Sequence, residues 1–148
     1  MPREFKTILC GTDFTERSYM ALDYALRFAT LADGLLILAH FVHVPSGDVY
    51  THEAWPRTFE EAKTRAKTLL AQVHQTRLEA YPKTELVVDI GMPAELLIRL
   101  AKQRQVDVIV TATHGRSELA DLIMGSTAEK LIRHAPCPVF VVRRQDAA

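Results

Sequence analysis

Short, nearly unbroken apolar runs in this chain alternate with longer stretches in which apolar residues recur every three or four positions. The first rhythm suits a strand buried on both faces, the second an amphipathic helix. Thr7 to Gly11 (TILCG) reads as strand 1. Thr15 and Ser18 are candidate N-caps for a first helix with Leu22, Ala25, Leu26 and Ala29 on its apolar face, stopping near Gly34. Leu35 to Val44 is strand 2, ended by Pro45, and residues 45 to 57 form the one sizeable irregular connection. Thr58-x-x-Glu61 has the form of a capping box, opening a long helix with Ala62, Ala66, Leu69, Leu70 and Val73 on one side. Glu85 to Ile90 is strand 3. Gly91-Met92-Pro93 then turns into a third helix that directs Leu96, Leu97, Leu100 and Ala101 inward. Val106 to Thr111 is strand 4, a fourth helix begins near Ser126, and Val139 to Val142 is strand 5.

Five strands alternating with helices predict an α/β, Rossmann-like three-layer sandwich: a parallel sheet with helices on both faces, built as a single domain over residues 1 to 148. Ligands of such sheets sit beyond the carboxyl ends of the strands, where the winding reverses. Glycine and small polar residues collect at two such ends, Gly11-Thr12-Asp13 after strand 1 and Ala112-Thr113-His114-Gly115 after strand 4. The reversal is expected between them.

Bulk properties narrow the partners. A chain of 148 residues buries enough surface to fold without staples. Eighteen basic against 18 acidic side chains give no net charge, so nothing favours bulk attraction to nucleic acid or to an anionic membrane. Cys10 and Cys137 read as buried thiols of a reducing compartment rather than a disulfide. No signal-like or membrane-spanning apolar run is present, so the expectation is a soluble, cytoplasmic protein.

The chemistry concentrates between residues 106 and 143. Gly115 ends a turn after strand 4, nine residues follow, and Gly125 stands directly before Ser126-Thr127 at a helix start. That is the layout of an anion cradle: glycines admit close backbone approach, and the helix start offers unpaired N–H groups and a positive dipole end.

Several segments together resemble the universal stress protein family: Thr12 to Thr15, Ala39 to Val42, Gly91 to Ala94, Thr113 to Arg116, Gly125-Ser126 and His134 to Val139. The resemblance runs from Lys6 to Arg143. It implies strand order 3-2-1-4-5 and, for one group of the family, ATP held by a Gly-x2-Gly-x9-Gly-Ser/Thr motif. Another group lacks the motif and binds no nucleotide. Here the spacing is intact, but the first glycine position holds Ala112. Its methyl is tolerable if the backbone is extended and strained if it is left-handed.

By the same resemblance, Asp13 faces the adenosine end of ATP, AMP or ADP, and Gly11 and Thr12 line the ribose. Phe41 marks where backbone groups of strand 2 read the adenine edge, and Ala112 and His114 are counted among the nucleotide-binding residues. Gly115, Arg116, Gly125, Ser126 and Thr127 surround the phosphates, which would themselves hold any Mg or Mn ion. Strand 5 as a sheet edge implies a homodimer paired across a two-fold axis.

Each assignment has a plainer counterpart. Ser126-x-x-Glu129 is also a capping box, Asp13 could simply close its turn, Phe41 could be core, and Arg116 could be a solvated loop charge. The histidines read as structural: His40 and His43 point to opposite faces of a strand, and His114 and His134 lack partners at ligand spacing. Catalysis has little support, because the chain has neither a P-loop lysine motif nor a Gly-x-Ser-x-Gly elbow. A nucleotide-dependent regulatory module is the leading reading. Slow hydrolysis dependent on Glu118 or Asp121, a non-binding stress protein acting by protein interaction, and a flavodoxin-like FMN carrier are its rivals.

Overall fold

A computed structural model describes residues 4–43, 55–78, 81–113 and 125–143. Five parallel strands, β1 (Thr7–Gly11), β2 (Leu35–Val42), β3 (Thr84–Ile90), β4 (Val108–Ala112) and β5 (Val139–Val142), form one sheet. Their order is β3-β2-β1-β4-β5, as the resemblance implied. Four helices connect them: α1 (Glu16–Ala32), α2 (Trp55–Arg77), α3 (Pro93–Gln103) and α4 (Ser126–His134).

The period-two geometry of the strands splits the interior into two apolar layers. Ile8, Cys10, Leu36, Leu38, Val108 and Val110 face α1 and α2, packing on Ala21, Leu22, Ala25, Leu70 and Val73. Leu9, Ile37, Ala39, Phe41 and Ile109 face the other way, onto Leu97 and Ala101 of α3 and Leu131 of α4. Central strands buried on both sides account for the unbroken apolar runs. The winding reverses between β1 and β4, which lie side by side with Leu9 opposite Ile109, so their carboxyl ends share one rim.

Several boundaries differ from the sequence expectation. β1 and β5 match to the residue. β2 ends at Val42; Val44 and residues 45 to 54 of the connection expected over 45 to 57 lie outside the described residues, while residues 55 to 57 belong to α2 rather than to that connection. β4 begins two residues late and ends one late, at Ala112; just before it the Asp107 carboxylate accepts the N–H groups of Lys6 (3.0 Å) and Thr7 (2.9 Å) and its own N–H donates to the Thr7 carbonyl (2.8 Å). α2 starts at Trp55, so Thr58 lies inside the helix rather than at its N-cap. Pro56 in the first turn is the start signal that the sequence actually carries. Leu69, expected in the core, is exposed, while Leu70 beside it is fully buried.

At the turn after β3, Gly91 adopts φ 150°, and a Cβ there would meet Leu96 Cδ1 at 2.7 Å. The expected turn into α3 therefore depends on glycine, and Pro93 occupies the first helical position as anticipated.

Candidate functional site

The rim shared by β1, β2 and β4 gathers most of the expected residues. β1 gives way to a turn in which Thr12 still donates its N–H to the Ala39 carbonyl (2.9 Å), extending the ladder by one bond. Its buried hydroxyl lies 2.9 Å from Ser18 Oγ and accepts the Phe14 N–H at 3.1 Å. Asp13 accepts the Thr15 N–H (3.1 Å) and the Thr15 hydroxyl, both on Oδ1. Thr15, rather than Ser18, is the N-cap of α1, accepting the Ser18 N–H at 3.3 Å. Asp13 therefore does close its turn, with the described bonds falling on one carboxylate oxygen.

Phe14 is a non-glycine residue at φ 64°, a conformation that costs roughly 1–2 kcal/mol and needs support. That support comes from Thr12 and from the His40 ring, whose centroid stands 4.4 Å from that of Phe14. His40 Nδ1 also lies 2.7 Å from the Thr12 carbonyl oxygen; a carbonyl only accepts, so Nδ1 carries the proton. The sequence treated His40 as a structural residue and had no signal for this contact, because its partner lies 28 positions away.

Gly11 has a local explanation. A Cβ at this position would lie 3.2 Å from Leu97 Cδ1, so close packing against α3 accounts for the glycine. Phe41 is buried in the layer beneath α3, as the plainer reading of its ring had it. Its backbone is another matter. Alternate residues of a parallel strand direct both backbone groups to the same neighbour. Leu35 and Ala39 bond to the β1 side, whereas Leu36 and Val42 bond to the β3 side. Phe41 shares the parity of Ala39, so its N–H and C=O are directed past the end of β1, above Thr12.

On the β4 side, Ala112 is the last strand residue, paired with Val142, and its φ is not positive. Its methyl packs against the apolar layer beneath α1, on the face of the sheet opposite α4. The extended backbone avoids the strain that alanine would carry at a left-handed position. Thr113, which the sequence reading gave no role of its own, fastens the next step. It donates its N–H to the Val142 carbonyl (3.1 Å) and accepts the Gly125 N–H through its own carbonyl (2.6 Å). The start of α4 is thereby tied to the end of β4.

Gly125, at φ −61° and ψ 157°, is the N-cap of α4 and has no side chain with which to cap. Ser126 is thus the first helical residue, and the Ser126/Glu129 capping box does not form. Glu129 instead pairs with Arg133 at 3.0 Å along the helix surface. Among the described residues no group accepts from the Ser126 or Thr127 N–H. Two expected phosphate-side residues, Gly115 and Arg116, lie outside the described residues, as do His114, Glu118 and Asp121.

Neither thiol is poised for chemistry. Burial pushes Cys10 up to about 12, and burial also raises Cys137, which lies away from the rim before β5. Among the described residues no helix is long and apolar enough to cross a membrane.

Comparison with known proteins agrees with this architecture. The model of the universal stress protein family matches residues 4–143. A universal stress protein of Thermus aquaticus is 32% identical, covering 94% of this chain and 99% of its own. The universal stress protein MJ0577 of Methanocaldococcus jannaschii is 26% identical over 97% of this chain and 98% of its own. Its solved structure superposes with a TM-score of 0.84, covering 98% of this chain and 100% of that one. Two further solved structures share the fold: a universal stress protein in complex with cAMP (TM-score 0.70, 22% identical, covering 95% and 98%) and one from Archaeoglobus fulgidus in complex with dAMP (TM-score 0.63, 18% identical, covering 94% and 98%). With the strand order and the family match in agreement along nearly its whole length, this chain belongs to the universal stress protein family.

Proposed function

We propose that this protein is a cytoplasmic, single-domain regulatory module that binds an adenine nucleotide, ATP or AMP, at the rim formed by β1, β2 and β4. The observation that carries the reading is the start of α4. Its N-cap is a glycine without a capping group, fastened to the end of β4 through the Gly125-to-Thr113 bond, with the Ser126 and Thr127 amides at the positive end of the helix. An anion there gains about 0.3–1 kcal/mol from the dipole alone when exposed, and more where water is excluded. The extended backbone of Ala112 and the turn of its methyl toward the α1 layer fit this reading.

At the other end of the ligand, the Asp13 carboxylate and the Phe41 backbone offer acceptors and a donor of the kind an adenosine requires. Gly125, Ser126 and Thr127, with Gly115 and Arg116 outside the described residues, are assigned to the phosphates. A Mg or Mn ion would be held by the phosphates themselves. That two relatives of the same fold are complexes with adenine nucleotides supports the ligand class.

A homodimer through β5 accompanies this proposal. Phe140 on that edge strand is 38% exposed and leaves apolar surface beside Tyr24 and Phe28, with ring centroids 5.6 and 5.0 Å away. Light scattering is expected to give twice the 16.7 kDa chain mass, and a 16.7 kDa species at all concentrations contradicts the dimer.

Freshly purified protein, boiled and run on ion exchange, should release ATP or AMP. Calorimetric titration of stripped protein should then show heat with adenine nucleotides. No released nucleotide and no heat with ATP, AMP or GTP would leave the alternative of a stress protein that acts through protein contacts alone.

A further inference from the structure

We propose that His40 is the positioning residue of the adenosine end of the site, holding the β1–α1 turn so that Asp13 and the Phe41 N–H both face the ligand. The inference rests on the nucleotide-binding reading and gives it a device.

In a parallel ladder, a residue that donates its N–H to one position of the neighbouring strand accepts through its carbonyl from the N–H two positions further on. Thr12 donates to Ala39, so ladder geometry would assign its carbonyl to the Phe41 N–H. The Thr12 carbonyl instead accepts from His40 Nδ1 at 2.7 Å. A side chain has taken the acceptor that the strand would have used. Among the described residues no bond joins the Phe41 N–H to the Thr12 carbonyl, and that N–H is directed past the end of β1.

The same ring acts a second time. Asp13 is flanked by Thr12, whose carbonyl His40 holds, and by Phe14, on whose ring His40 packs with centroids 4.4 Å apart and planes tilted by 39°. Phe14 keeps its left-handed φ of 64° within this bracket, and its N–H goes back to the Thr12 hydroxyl at 3.1 Å. His40 therefore grips the residue on each side of the carboxylate. It touches no expected ligand atom; it acts through Asp13 and Phe41.

Four proteins and one double variant test this: wild type, His40→Leu, which keeps bulk and loses the donor, His40→Asn, whose amide nitrogen falls near the place of Nδ1, Asp13→Ala, and His40→Leu combined with Asp13→Ala. Calorimetric titration with ATP should show His40→Leu binding about tenfold more weakly, His40→Asn recovering to within about threefold of wild type, and the leucine effect shrinking once Asp13 is gone. Amide exchange at Phe41, measured without nucleotide, should slow in His40→Leu as the ladder bond to Thr12 forms. Should the leucine variant fail to fold, the asparagine variant and its Phe41 exchange decide the matter, with strong loss of affinity in a folded asparagine variant counting against the proposal. Equal affinities for wild type and His40→Leu overturn the role of His40 while leaving nucleotide binding intact. Wild type that takes up no ATP or AMP overturns the functional reading itself, and the role of His40 with it.

Discussion

Two helices begin at the same rim of the sheet, and they begin in opposite ways. α1 starts behind a closed polar turn: Thr15 caps it, the Asp13 carboxylate accepts from Thr15, and Ser18 Oγ donates back to the Thr15 carbonyl at 2.8 Å. α4 starts behind Gly125, which brings no side chain, and its first acidic residue, Glu129, turns along the helix to Arg133. At α1 the turn itself accepts the Ser18 N–H, whereas at α4 no described residue accepts from the Ser126 and Thr127 amides. A helix start satisfied from within is a structural joint, and one left open on a strand end is a place for an anion.

The largest test of this contrast fills the open end. Gly125 has negative φ, so valine is permitted by the backbone and the loss of space is the change that matters. Gly125→Val is expected to weaken ATP binding by at least about a hundredfold, near 2.7 kcal/mol, with the thermal midpoint within a few degrees of wild type. Calorimetry and a thermal melt read the two effects. An unchanged affinity would place the phosphates elsewhere.

A milder change makes α4 resemble α1. Gly125→Ser supplies a capping hydroxyl, stabilising the helix by only a few tenths of a kcal/mol while competing with the ligand for the same amides. About tenfold weaker ATP binding is expected in titration. The reverse experiment at α1 should touch stability first: Thr15→Ala removes a cap and is expected to cost about 1 kcal/mol in urea unfolding. If it cost nothing, the closed character of that start would be in doubt. Smallest of all, Ala112→Gly restores the glycine usual in the motif. Because the methyl lies in the α1 layer, ATP affinity should change by less than about threefold. A tenfold gain would mean that the methyl obstructs the ligand after all.

How far the sequence spoke depended on the range of the interaction. Strand identity and layer assignment were legible, because burial on both faces writes an apolar run such as Leu35 to Leu38 into the chain. Strand order came from the resemblance, not from periodicity. One helix start was misread: Thr58 heads a capping-box pattern, yet α2 begins at Trp55 with Pro56 in its first turn, whereas the start of α4 at Ser126 behind Gly125 was legible. Thr15 was recognisable as a cap because its role is local. The carbonyl exchange at Thr12, by contrast, joins residues 28 apart, and the left-handed Phe14 carries no glycine to announce it. The fastening role of Thr113 was not legible because its backbone, not its side chain, performs it.

The central claim is that the open start of α4 receives the phosphate end of an adenine nucleotide. Calorimetric titration of nucleotide-free protein with ATP and with adenosine, side by side, tests it most directly. ATP is expected to bind at least about tenfold more tightly than adenosine, with Gly125→Val erasing the difference. Equal affinities for the two, or no heat from either, would contradict the account.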